Sequence, residues 1–291
     1  MGRLHQARGG GFTLIEMSIV LVIIGLIVGG VLVGQDLIRA AAVRAQISQI
    51  EKYNTAVNTF KGKYGYLPGD ISGSAVAQFG FVARAGTAGQ GDGNGVIEGY
   101  ASGYGNSGYF QAAGETVMAW VDLSTAGLIE GNFSTATPNN APAIPSSSVP
   151  LYLPGAKLGQ NDFIYIWSGG TTGSDGTNYF GLSTVLEIDY NRQIWAGSTP
   201  GVTVQQAYSI DKKIDDGLPQ SGNVEAFYLT GGVPYWQWAR ADGLGGDLPG
   251  SQTAPHADMC YDTRGAVGVE QYAIEESGGS GVNCALSFRF Q

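Results

Sequence analysis

Charge is scarce in this sequence: Asp, Glu, Lys and Arg make up only 13% of the 291 residues, with a formal balance of −9. A surface that binds a polyanion needs a basic footprint, and the 15 Lys and Arg are scattered, so no nucleic-acid partner is indicated. Histidine is scarcer still. His5 and His256 are the only two, which leaves a Ser-His-Asp or Cys-His site a single candidate base outside the N-terminal region, and a zinc site a single imidazole. The patterns G-x-S-x-G, G-x-x-x-x-G-K-[ST] and H-E-x-x-H are all missing. Among 24 acidic residues some carboxylate pair for glycoside hydrolysis always exists, so that possibility carries no weight by itself. The chain therefore reads as no enzyme. Cysteine is limited to Cys260 and Cys284. They either close one loop as a disulfide, worth about 2–4 kcal/mol, or stay as two buried thiols.

With so little charge and 47 glycines, the surface must be built largely of Ser, Thr, Asn, Gln and turns, a composition that suits an exported protein. Hydrophobic residues at 43% are enough for one large core or two small ones. They are not evenly spread. Phe12 to Gly34 is a run of 23 residues whose only charge is Glu16, and at ~1.5 Å per residue it covers a ~30 Å hydrocarbon layer with some tilt. A secretory signal peptide places its small residues after the apolar core. Here Gly9, Gly10 and Gly11 precede it, so a cut after Gly11 would remove the basic leader and keep the apolar helix, with a new amine on Phe12. Arg3 and Arg8 on one side face Arg39, Arg44 and Lys52 on the other, so the basic-loop rule does not fix the orientation.

Gly11-Phe12-Thr13-Leu14-Ile15-Glu16, followed by the long apolar run, resembles the class III signal of type IV pilins and type II secretion pseudopilins. The resemblance implies that a prepilin peptidase cuts between Gly11 and Phe12 and methylates the new N-terminus. It further implies residence in the bacterial cytoplasmic membrane as a single-pass protein with a periplasmic head, and then packing into a helical filament, periplasmic or at the cell surface. The implied partners are the peptidase, other pilin or pseudopilin subunits, an inner-membrane assembly platform and, before assembly, the lipid bilayer. The strong match covers residues 1 to about 64. YLPGD (66–70), GDGNGVIEG (91–99) and KIDDGLPQSGNV (213–224) are also similar to pieces of a subgroup of long pilin-like proteins.

A carboxylate in hydrocarbon costs about 2.5–3.5 kcal/mol at a helix centre on insertion scales. Two readings of Glu16 compete. Thr13 and Glu16 fit a capping box, and the helix dipole favours an anion there. Alternatively Glu16 neutralises the amine of Phe12 on a neighbouring subunit, setting axial register, and the resemblance favours this one. Gly25, Gly29, Gly30 and Gly34 supply two G-x-x-x-G spacings that let helices approach closely, or mark a membrane helix that tolerates glycine.

The expected organisation is a leader (1–11), a transmembrane and filament-core segment (12–34), an amphipathic continuation of the helix (35–64) and a head (65–291). Val43, Ile47, Ile50, Val57, Phe60 and Tyr64 give the continuation one apolar face. The fold class implied is α+β: a long N-terminal membrane-spanning helix whose C-terminal half packs on an antiparallel β-sheet head, as in pilins. In the head, Tyr66 to Gly108 reads as a long Gly-rich connection, Glu115 to Gly127 and Thr203 to Ile214 as helices, and Phe133 to Pro150 as a loop. Strands are expected at Asp162–Ser168, Asn178–Ile188, Gln193–Ala196, Val224–Leu229 and Ala285–Phe290. Asp211, Asp215 and Asp216 read as a solvated face beside Lys212 and Lys213.

Asp92, Asn94, the Val96 carbonyl and Glu98 offer oxygens at alternate positions, a spacing compatible with calcium, although Ile97 and Gly103 stand where an EF-hand needs Gly and Glu. The competing reading is a turn that glycine permits. No cofactor is otherwise required. The length of the head favours a minor or tip subunit, and Glu16 counts against the large tip pseudopilin, which usually lacks it. The rival functions are a tethered binding head, adhesin or carbohydrate-binding, with Tyr235, Trp236 and Trp238 as candidate contact residues, and, further off, a tethered hydrolase.

Overall fold

The computed structural model describes residues 13–159, 161–169, 176–189, 195–230, 236–239, 259–262 and 270–290. The chain divides into two compact units, Met1–Ala42 and Val43–Gln291. Helix α1 (Leu14–Tyr64) is 51 residues long. In the first unit its apolar side chains, from Leu14 and Ile15 through Leu37 and Ile38, are exposed. An 18-residue stretch of it reaches a mean hydropathy of 2.8 with none of it buried, so by length and composition it can cross a membrane.

Within the second unit the remainder of α1 buries Val43, Ile50, Val57 and Phe60 at seven- and three-residue steps, as the apolar spacing predicts. Ile47 and Tyr64 are only partly buried. The stripe also contains polar residues that periodicity of apolar side chains does not reveal. Gln46 Oε1 accepts from the Lys157 amide at 2.7 Å, and Gln49 Nε2 donates to the Gly155 carbonyl at 2.9 Å. Each of the two side chains thus finds a backbone partner on one loop, which fixes where that loop crosses the helix, while Gln46 Nε2 is buried with no hydrogen-bond partner among the described residues. The Tyr53 ring meets Trp120 at 5.1 Å and Phe180 at 6.1 Å between centroids.

Several short elements lie outside the central sheet. They are α2 (Gly73–Phe79), the hairpin β1 (Gly99–Ala101) and β2 (Gly105–Ser107), α3 (Glu115–Thr125), α4 (Val204–Ile214), and a 3-10 turn at Ser146–Leu151 with another at Glu276–Gly279. The sheet is built from β3 (Asp162–Ser168), β4 (Asn178–Asp189), β5 (Trp195–Thr199), β6 (Val224–Glu225) and β11 (Leu286–Arg289). Its order is β3-β4-β11-β6, with β5 on the distal part of β4, and every pairing is antiparallel. β7 (Phe227–Leu229) pairs with β8 (Trp236–Trp238), and β9 (Tyr261–Asp262) with β10 (Gln271–Tyr272). The fold is α+β.

β3 is buried at all seven positions, consistent with its unbroken apolar run. Tyr165 of β3 faces Gly181 of β4, and a Cβ at Gly181 would lie 2.1 Å from the tyrosine ring, so the sheet needs glycine there. α4 begins where the sequence predicts, with Thr203 as N-cap: its hydroxyl accepts from Gln206 N at 3.2 Å and Gln206 Oε1 accepts from Thr203 N at 3.0 Å.

Four expectations are corrected. The 66–108 segment holds α2 and the β1–β2 hairpin and buries Ile71, Val76 and Ile97 rather than forming an open connection. The strand read at 224–229 breaks at Ala226, whose N–H donates to the Pro219 carbonyl, and its halves join different sheets. The strand expected to end at Ala196 runs on to Thr199, and residues 193–194, where it was expected to begin, lie outside the described residues. Asp211 is buried rather than solvated, because helical spacing puts it on the inner face with Val204 and Ala207.

Cys260 and Cys284 form a disulfide across a 24-residue separation, just ahead of β9 and of β11. Loop closure of that size contributes about 3 kcal/mol. Replacing both cysteines with serine is expected to lower the melting temperature by about 6–12 °C, read by calorimetry against a reduced wild-type control.

Candidate functional site

At the start of α1 the capping box is formed. Glu16 Oε2 accepts from Thr13 N and from Thr13 Oγ1, both at 2.8 Å, and Glu16 N donates to Thr13 Oγ1 at 3.3 Å. The cap orients the carboxylate at the helix N-terminus, where it stays exposed along with the whole apolar turn. Gly11 and Phe12, the expected cleavage pair, lie outside the described residues. Gly25, Gly29, Gly30 and Gly34 have open space where a Cβ would sit, so among the described residues nothing of the chain itself covers that seam.

The head contains a second feature, a knot of carboxylates around the 91–98 loop. Asp70, Asp92 and Glu115 each bring an oxygen within 4.8 Å of the others. Asp70 Oδ1 and Oδ2 accept from Gly93 N at 2.7 Å and Gly95 N at 2.8 Å. Glu115 Oε1 and Oε2 accept from Gly91 N at 2.7 Å and Glu98 N at 2.9 Å. The loop is thus wound on two buried acids supplied by the turn before α2 and the first turn of α3. Burial, with the neighbouring Asp70 charge, pushes Glu115 up to about 9 against the pull of its two N–H donors. Burial likewise raises Asp70 to about 6.

Of the residues the spacing singled out for calcium, Asp92 joins this knot. Asp92 also accepts from Asn94 N at 3.1 Å and from Asn94 Nδ2 at 3.0 Å, while Asn94 Oδ1 accepts from Val96 N at 2.6 Å. Glu98 Oε2 accepts from Asn106 Nδ2 at 2.7 Å. Three carboxylates within 4.8 Å of one another form an oxygen donor set that suits a hard cation, and protons serve the same purpose. Asp70 and Glu115 carry no local spacing signal, because each meets the loop across a gap in sequence of 17 to 25 residues.

Beside the knot lies a buried ion pair. Arg84 Nη2 and Nη1 donate to Asp122 Oδ1 at 2.7 Å and Oδ2 at 3.0 Å. Nη1 also donates to the Gly69 carbonyl at 2.7 Å, and Gly69 N donates to Asp122 Oδ2 at 2.7 Å. A second acid group, Asp211, Asp215 and Asp216, is bound into its own chain: Asp211 accepts from Gly217 N at 2.9 Å and from the Tyr272 hydroxyl at 2.8 Å. Burial raises Asp211 to about 7.

Of the residues expected to serve a binding or hydrolytic head, the described structure contains one aromatic side chain. Trp238 is buried against Phe227 at 5.1 Å, whereas Tyr235, the Trp236 side chain and His256 lie outside the described residues. Gly103, Gly105 and Gly108 match a G-x-G-x-x-G spacing but sit in and after the β1–β2 hairpin rather than between a strand and a helix, so they form no phosphate cradle. A groove of about 1040 Å³ runs between α1 and the loops at Gly127–Gly131 and Pro154–Gly155, and its charged residues are Glu51, Lys52, Glu130 and Lys157. No nucleophile–histidine pair occurs there.

Residues 7–32 match the family model for the prokaryotic N-terminal methylation motif, the prepilin-type signal of type IV pilins and pseudopilins. No curated protein and no solved structure matches the chain. A long apolar N-terminal helix with antiparallel sheet regions is a pilin-like arrangement, and signal and helix together fit a single-pass, membrane-anchored protein.

Proposed function

We propose that the chain is a structural subunit, minor or tip, of a type IV pilus or type II secretion pseudopilus. It is made as a membrane precursor, cut after Gly11 by a prepilin peptidase, methylated on Phe12, passed to the inner-membrane assembly platform and packed through α1 into a helical filament. Its head faces the periplasm and then the filament surface. Glu16, oriented by the Thr13 cap, pairs with the Phe12 amine of a neighbouring subunit. One observation carries this reading: the methylation motif at residues 7–32 leads directly into a helix whose apolar face is fully exposed in the isolated chain. N-terminal mass analysis of the chain made with and without the peptidase tests it. A mature start at methylated Phe12 is expected, and retention of residues 1–11 in the working form overturns the reading.

Calcium at the 92–98 loop is a second proposal, favoured by the meeting of Asp92 with Asp70 and Glu115. Both buried acids are raised above their unfolded values, so without a cation the folded state holds their protons more tightly. Their stabilising contribution is complete below about pH 4 and is lost as pH rises through about 6 and about 9. In chelator the melting temperature is expected to fall between pH 5 and 9, and calcium to flatten that fall by holding the ionised carboxylates. A melting profile that neither chelator nor calcium shifts sinks the calcium reading.

A further inference from the structure

We propose that Asn132 is an acceptor for an N-linked glycan, attached once the head has left the cytoplasm; that placement of the head rests on the reading above. Asn132 is the only asparagine of the chain followed, after one residue other than proline, by Ser or Thr. The sequence around it is Glu130-Gly131-Asn132-Phe133-Ser134. Burial alternates across it: Glu130, Gly131, Asn132 and Ser134 are exposed, and Phe133 is buried.

Gly131 and Phe133 create that presentation. Gly131 has φ 102°, and a Cβ on it would come within 2.9 Å of Phe133 Cε2, so the ring folds back over a position that must be glycine. The ring packs 6.4 Å from Trp120, and Phe133 N donates to Ser124 Oγ at 3.4 Å near the end of α3. The aromatic anchor holds the loop while the residues on either side of it turn outward. The amides of Asn94, Asn106 and Asn178 are engaged by Asp92, Glu98 and the Gly95 carbonyl. Asn132, in contrast, makes no side-chain hydrogen bond among the described residues. Asn132 is exposed, and the Ser134 side chain that completes the acceptor pattern is exposed beside it.

The donor class is a lipid-diphosphate-linked oligosaccharide. Asn132 Nδ2 bonds to the anomeric carbon, the bond from that carbon to the phosphate oxygen breaks, the lipid diphosphate leaves with the electron pair, and one amide proton passes to solvent. No redox partner is needed. The glycan would stand at the edge of the groove that Glu130, Gly131 and Phe133 help to line.

The test is peptide mass spectrometry on the full chain purified from its own cells, beside Asn132→Gln, Ser134→Ala and Ser134→Thr. An oligosaccharide mass is expected on the Asn132 peptide, lost in the first two variants and kept in the third. An unmodified wild-type peptide, or a glycan that survives Asn132→Gln, overturns the proposal. The same spectra report the N-terminus separately: methylated Phe12 with bare Asn132 removes only the glycan site, whereas an uncut leader with a glycosylated Asn132 removes only the filament reading.

Discussion

Glu16→Ala is expected to leave cleavage after Gly11 and methylation of Phe12 intact while removing the chain from sheared filaments. The carboxylate has two structural uses, and a second variant separates them. Glutamine at this position still accepts from Thr13 N, as the capping box requires, but carries no charge to match a neighbour's amine. Glu16→Gln should therefore keep the start of the helix and still fail to assemble. A loss of only about 1.4 kcal/mol per interface lowers incorporation about tenfold, and in low dielectric an unmatched ammonium costs more. Immunoblots of the membrane and filament fractions give the readout. Wild-type amounts of Glu16→Gln in filaments would show that the cap alone accounts for this residue.

The largest stability effect is expected at Asp122. Its side chain and that of Arg84 are 0% and 1% exposed, and the pair also ties down Gly69. Asp122→Ala leaves a guanidinium that cannot lose its proton, in a site with no other anion bonded to it among the described residues. The cost is about 3–5 kcal/mol, about a fifth or more of what holds a typical domain together. Arg84→Met should cost less, because burial already pushes the Asp122 carboxyl up and it can simply take a proton. The double variant Arg84→Met, Asp122→Leu should recover part of the loss, since no charge is then left without its counterion. Urea unfolding of the full chain in mild detergent measures all three. A cost below 1 kcal/mol for Asp122→Ala would mean that water reaches the pair.

What could be read from the sequence was what the chain determines locally. The apolar run and the seven-residue spacing of Val43, Ile50 and Val57 gave α1, and the helix read at Thr203 to Ile214 is α4, although the Thr203–Gln206 capping box that starts it was not read. The aromatic and β-branched runs gave β3, β4 and β11. Buried polar residues stayed hidden because their partners are set by the tertiary fold. Arg84 and Asp122 are 38 residues apart, and Gln46 meets Lys157 across 111. Asp211 is a different case: it lies seven residues after Val204 and four after Ala207, so the inner face was legible, but Lys212 and Lys213 drew the reading toward solvent. At the candidate sites, Thr13 and Glu16 were legible because four consecutive residues contain the whole cap. Asp92 was visible in its loop, whereas Asp70 and Glu115 were not.

β11, made from some of the final residues of the sequence, lies between β4 and β6 and not at a margin of the sheet. Leu286 to Arg289 pair with β4 along their whole length, and Ser287 and Phe288 also pair with β6, so β11 joins two strands that do not pair with each other. With β11 displaced, the facing rows of β4 and β6 would stand open, and such edges invite mispairing between chains. The sheet therefore hangs on its inner strand: a substitution that loosens residues 286–289 frees β6 and uncovers β4 in one step.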